Sequence, residues 1–391
     1  MKTYTFISIL ILFFFITTQA QWVPVNSGTT ERLNGVAVIN QNEAIAVGKD
    51  GMILKSTDQG ISWIQAFAGV DDDFNSIVFV DANIGYIAAE ESILKSTDGG
   101  ETWTTVAGGF NGELNELSFA GEMVGFVAGE LGYIGLTTNG GSTWTDLNTN
   151  SFHLFEGLFA VTDQKVIACS ESGSVLITEN QGNTWTETIL SAGQELSDVF
   201  FTDEINGFVT GDNGMIYKTT DGGNSWNAIQ TGTTESLDAL HFYSSTQGVA
   251  VGHDGAIVYT EDGGNTWLAH SPVTSLRLED IDFLDGSLGI AVGRDGALLR
   301  YEGGITGIFQ SRKPGLKIYP VPADQFVHIE VEFTGNYEIQ ITDLLGKVVK
   351  KEALNNSDLI RFEIEDLNEG LYFARIFQNN EPLNTAKFYI K

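Results

Sequence analysis

Carboxylates are the chemistry this sequence offers in quantity: 51 aspartates and glutamates stand against 20 lysines and arginines, a net charge of -31. Gathered on one face, such groups can hold calcium, a cationic peptide or an amine-bearing sugar, and two of them can act as acid and base in glycoside hydrolysis. The same balance excludes a phosphate-backbone binder, so nucleic acid is not an expected partner. Other site chemistry is scarce. The single cysteine, Cys169, rules out an internal disulfide and a multi-cysteine zinc site, and it reads as a small core thiol. None of the five histidines, His153, His241, His253, His270 and His328, has a partner at metal-ligand spacing. No catalytic residue stands out.

The candidate ligand carboxylates recur at intervals. Asp50, Glu90, Glu130, Glu171, Asp212, Asp254 and Asp295 occupy short loops 40–42 residues apart, and Glu156, Asp238 and Glu279 begin strand-like segments, as do Glu116, Asp198 and Asp280. What must position them is a repeat. Trp63, Trp103, Trp144, Trp185, Trp226 and Trp267 follow at spacings of 40, 41, 41, 41 and 41. Each closes a box such as Thr219-Thr-Asp-Gly-Gly-Asn-Ser-Trp226. Asp58, Asp98, Asn139, Asn180, Asp221 and Asp262 are placed in it to accept bonds from turn amides, a glycine supplies the positive φ, and the tryptophan opens the next strand as an apolar anchor. These twelve residues are therefore read as structural.

Four short strands per repeat, as at 196–201, 207–211, 214–219 and 226–230, are the pattern of a propeller blade. The glycine opening the third strand counts seven units: Gly51, Gly132, Gly173, Gly214, Gly255 and Gly296, with Glu91 replacing it in the second. The seventh unit has no tryptophan strand of its own. Trp22–Gly28 has the spacing of Trp226–Gly232 and is expected to complete it, leaving no free edge between the termini. The loops after the second strands then emerge on one face and collect the candidate acids into a ring at the channel mouth. Calcium is the one cofactor such a ring suggests; otherwise none is expected.

The remainder of the chain sets its destination. Lys2, an apolar run over Phe6–Ile16 and Ala20 make residues 1–20 a secretory leader, with no later segment apt to span a membrane as a helix. Residues 21–304, the propeller, hold 39 acidic and 9 basic side chains; beyond them the counts are 12 and 10. After a linker at 305–315, residues 316–391 alternate apolar and polar positions between glycine and asparagine turns, as a small β-sandwich does. The expected class is all-β: a seven-bladed β-propeller followed by that sandwich.

The boxes resemble the Asp-box (BNR) repeat of sialidases, and the whole unit is more similar to the photosystem II assembly and stability factor family. The tail, with Tyr319-Pro-Val-Pro322, Asp343-Leu-Leu-Gly346, Gly370, Tyr372 and a basic terminus, resembles the type A sorting domain of the Bacteroidetes type IX secretion system. That resemblance implies export across the outer membrane, release or attachment at the cell surface, and the type IX machinery as a partner. A sialidase site is not expected, because the propeller has only Arg32, Arg277, Arg294 and Arg300 to grip a substrate carboxylate. Nor do its basic residues supply the positive patch of photosynthetic relatives. The reading is a non-catalytic binding or scaffold module for an extracellular protein or glycan. The alternative is an extracellular carbohydrate-active hydrolase using paired carboxylates.

Overall fold

The chain forms seven four-stranded antiparallel sheets and one five-stranded sheet, as seen in a computed structural model that describes residues 21–110, 112–302, 316–319, 321, 323–343, 347–378 and 381–391. The expected leader at 1–20, the linker at 305–315 and Leu344–Gly346 lie outside the described residues. Two compact units divide the chain, Met1–Gly304 and Ile305–Lys391.

In the first unit each blade runs outward from an inner strand lining the channel. These inner strands are Leu33–Val38, Phe74–Phe79, Leu114–Ala120, Phe155–Ala160, Leu196–Phe201, Leu237–Phe242 and Leu278–Asp285. The second strands, such as Ala44–Gly48 and Gly207–Gly211, are buried along their whole length, so they read as continuous small and apolar runs. Seven clusters of buried side chains fill the seven junctions between blades. Closure is as the sequence indicates: Gln21–Pro24 pairs antiparallel with Leu299–Glu302, and Trp22, 2% exposed, packs on Phe283 and Tyr301.

The box turns tie neighbouring blades together. In the sixth copy Asp262 Oδ1 accepts the Thr266 N–H at 2.9 Å, and Oδ2 accepts its hydroxyl at 2.7 Å. Asn139 and Asn180 reproduce the arrangement, taking the amide on Oδ1 and donating Nδ2 to the threonine hydroxyl at 2.8 Å. Gly264, at φ +72, sits so tightly that a Cβ there would meet Phe208 of the preceding blade at 2.2 Å. The tryptophans stand one residue before the outer strands rather than opening them, and four pack edge-on against inner-strand phenylalanines: Trp103 on Phe79, Trp144 on Phe119, Trp226 on Phe201 and Trp267 on Phe242.

The second unit is a β domain of its own. Strands Leu316–Tyr319, Phe326–Thr342, Gly370–Gln378 and Glu381–Ile390 pair in that order, and Val348–Glu363 pairs with Phe326–Thr342. Its alternating positions, among them Val327, Ile329, Ile339, Ile341, Phe362 and Phe388, meet in one buried cluster.

Candidate ligand-binding site at the channel mouth

Each second strand ends in a tight turn whose form decides which residues suit it. In five blades the turn is a single 3₁₀ turn: Lys49–Gly51, Glu130–Gly132, Asp212–Gly214, His253–Gly255 and Arg294–Gly296. The middle residue is left-handed, with φ of 51–58° at Asp50, Leu131, Asn213, Asp254 and Asp295. Aspartate and asparagine tolerate that region, which gives Asp50, Asp254 and Asp295 a backbone reason to be there.

The expected single ring therefore resolves into two different positions. The first residue of each turn, in blade order, is Lys49, Glu90, Glu130, Glu171, Asp212, His253 and Arg294. Blades two to five carry acids there, and blades six, seven and one carry bases. The residue preceding the inner strand follows the same division in five blades, with Asp73, Glu113 and Glu195 on one side and Arg277 and Arg32 on the other, while Leu154 and Ser236 are uncharged. The mouth is an acidic arc facing a basic arc.

The basic arc is knitted by ion pairs. Glu279, its side chain 6% exposed, lies 3.1 Å from Arg32 Nε, 3.1 Å from Arg277 Nε and 2.8 Å from Arg294 Nε. Arg277 forks onto both oxygens of Asp238 at 2.9 and 3.0 Å, and His253 approaches the same carboxylate at 3.5 Å. Burial pushes the Asp238 carboxyl up while the guanidinium fork pulls it down. Burial and the nearby Arg277 push His253 below its ordinary value. Lys49 reaches Asp73 at 3.2 Å across the boundary between the arcs.

Carboxylates of the acidic arc have mostly one another. Burial, then Asp73 and Glu113, raise Glu90. Burial, then Glu195 and Glu171, push Glu156 up to about 7. Asp212 is tethered, accepting the Ser236 hydroxyl at 2.9 Å and the Glu195 N–H at 3.1 Å.

Below the mouth lies a central cavity of about 520 Å³ lined by the inner strands. Of the ten candidate acids, Glu130, Glu156, Asp238 and Glu279 line it; Asp50, Glu90, Glu171, Asp212, Asp254 and Asp295 sit on the loops above. Deeper carboxylates are spent on backbone. An inner strand is a sheet edge with unpaired N–H groups. Asp280 and Asp282 accept the N–H of Val36 and Val38, both at 2.7 Å, and Asp198 accepts that of Leu240 at 2.8 Å. Burial, then Asp198 and Asp280, hold Glu116 well above the carboxylate range while Ser76 donates to it at 2.8 Å. Among the described residues no three His, Cys, Asp or Glu side chains are grouped to hold a metal ion. Cys169 is buried, and its thiol packs where a Cβ on Gly157 would meet it at 2.9 Å.

The arginines Arg32, Arg277 and Arg294, too few for a sialidase site, are the groups that hold Glu279 and Asp238 at the mouth. Their signal was in the repeat: Lys49, His253 and Arg294 stand in the column that is acidic elsewhere.

Comparison with known proteins places the chain. The family model for photosynthesis system II assembly factor YCF48 matches residues 67–194 and 183–267, together more than half of the chain, and the secretion system C-terminal sorting domain matches 317–391. Among solved structures, a YCF48 bound to a D1 peptide superposes with a TM-score of 0.62 at 22% identity, covering 72% of this chain and 96% of that one. YCF48 from Cyanidioschyzon merolae gives 0.62 at 19%, covering 73% and 99%. The WD40 propeller domain of Doa1 gives 0.61 at 14%, covering 73% and 97%, so at this level the likeness is one of fold. Comparison with curated proteins yields no match. Among the described residues no helix is long and apolar enough to cross a membrane. The chain belongs to the photosynthesis system II assembly factor YCF48 family of propellers, and its C-terminal sorting domain directs it through type IX secretion to the cell surface or the extracellular space.

Proposed function

We propose that the propeller is an extracellular, non-catalytic binding module that takes a protein segment across its channel mouth. One observation carries the reading: the first position of the mouth turns is acidic in blades two to five and basic in blades six, seven and one, where Asp50, Asp254 and Asp295 follow the bases. A ligand with a cationic end over blades two to five and an anionic end over Arg32 and Arg294 gains from both, whereas a uniformly charged one is repelled by half the site. The half-exposed side chains of Lys49, Arg32 and Arg294 leave donors for such a partner. A structurally similar propeller holds a peptide, and a peptide-like ligand suits this mouth. The test is a peptide array probed with the secreted chain. Binding concentrated on peptides with opposite charges at their two ends supports the proposal; binding indifferent to charge order refutes it.

A hydrolytic reading rests on Glu156, whose carboxyl at about 7 is in the range of a general acid at the edge of the cavity. Release of reducing ends from polysaccharides by the wild type, abolished by Glu156→Gln, would favour it over binding alone.

A further inference from the structure

The rim of blade three departs from the rest of the mouth. Leu131 occupies the left-handed turn position at φ 56, where the corresponding residues are Asp50, Asn213, Asp254 and Asp295. A bulky apolar side chain is a poor occupant of that backbone region, and here it is also 60% exposed. Beside it Phe152 is 88% exposed. The two are held together: Gly132 N–H donates to His153 O at 2.8 Å, and the Thr149 hydroxyl donates to Gly132 O at 2.8 Å, which pins the loop carrying Phe152 over the turn carrying Leu131. A Cβ on Gly132 would meet Ser151 O at 2.0 Å, so the approach admits only glycine. Behind them Phe110 packs on Tyr133 with ring centroids 5.6 Å apart, and the Tyr133 hydroxyl donates to Asp146 at 3.0 Å.

Charge says what covers this apolar pair. From Ser96 to Gln164 the chain has no lysine or arginine, while Glu113, Glu130, Asp146 and Glu171 lie on the elements around the pair. His153 is turned to Glu187 at 3.2 Å.

We propose that the blade-three rim docks a partner protein through an apolar side chain flanked by lysine or arginine, with Leu131 and Phe152 forming the contact and the surrounding carboxylates selecting the basic flanks. The proposal rests on the binding reading above and locates the partner's basic end. An anionic membrane or nucleic acid is repelled by the same field.

The test uses the full secreted chain and three capped hexapeptides: two lysines, leucine, phenylalanine and two lysines; the same with serines at the centre; and the same with glutamates at the ends. Calorimetry should show the first binding tightest. Leu131→Asn should weaken it about tenfold, to the level of the serine peptide, with the melting temperature unchanged or raised because asparagine accepts the turn. Phe152→Ser should act alike. The proposal is overturned if Leu131→Asn and Phe152→Ser bind as the wild type does, if the serine peptide binds equally well, or if no lysine peptide binds at millimolar concentration. A loss on Arg294→Gln for charge-ordered peptides, with none on Leu131→Asn, would sink the rim proposal and leave the mouth reading standing.

Discussion

Two sets of carboxylates on this propeller have the same chemistry and opposite environments. The box acids, represented by Asp98 and Asp262, each accept an amide and a hydroxyl from a residue four positions on, and those bonds hold both carboxyls down at about 2. The mouth acids, represented by Glu156, are raised by burial and by one another. The first set repeats with little change in six copies; the second varies from blade to blade, reverses sign at Lys49 and Arg294 and gives way to a histidine at His253. Within a repeat protein, constancy marks what every blade needs to fold, and departure from the repeat marks what the assembled ring does.

Both sets depend on the ring being closed, so the largest effect should come from opening it. Deleting residues 21–28 removes the strand paired with Leu299–Glu302, buried Trp22 and the 2.7 Å bond from Ser27 to Gly296 O. Thermal unfolding should lose its single cooperative transition; an unchanged melting curve would contradict the closure.

Next come the box acids. Asp262→Ala should lower the melting temperature by several degrees, because the turn amides lose their acceptor, whereas Asp262→Asn should nearly restore it, as Asn139 and Asn180 already serve in two blades. Equal loss in both variants would mean that charge, and not turn bonding, is what matters.

The pH dependence separates the two sets. For Asp98 and Asp262 the folded value lies below the unfolded one, so their contribution is present above about pH 4 and is lost as pH falls toward 2. For Glu156 the folded value lies above the unfolded one, so stability falls as pH rises from about 4.5 to 7. The melting temperature should therefore decline between about pH 5 and pH 7, and Glu156→Gln should flatten that decline by a few degrees. A rise in wild-type stability over this range would contradict the account.

Calcium should have the smallest effect. Without three converging ligands among the described residues, millimolar calcium should shift the melting temperature only slightly and no more than magnesium does. A large calcium-specific increase would show that the acidic arc forms a cation site.

Much of this was legible in the sequence because a repeat encodes local geometry six times over. The spacing of the tryptophans, the box glycines and the match of Trp22–Gly28 to Trp226–Gly232 fixed the blades and their closure. What could not be read was anything made only when blades become neighbours. That Asp280 and Asp282, in the last blade, would accept backbone N–H groups of Val36 and Val38 in the first depends on the ring closing over 244 residues. Grouping Asp50, Asp254 and Asp295 with Glu90 and Glu130 followed composition, whereas the turn separates a left-handed position from the one before it. Nothing in the residue type of Leu131 marks it; its significance lies in a φ of 56.

In the binding reading proposed above, the two arcs of the mouth grip opposite ends of one ligand. That reading is tested most directly by measuring the affinity of charge-ordered peptides from the array for two variants: Glu90→Gln, Glu130→Gln, Glu171→Gln and Asp212→Asn combined, and Arg32→Gln with Arg294→Gln. The account predicts that the first variant ceases to respond when the peptide's basic end is neutralised, and the second when its acidic end is neutralised. Equal losses in both variants whichever end is neutralised, or no loss in either, would contradict it.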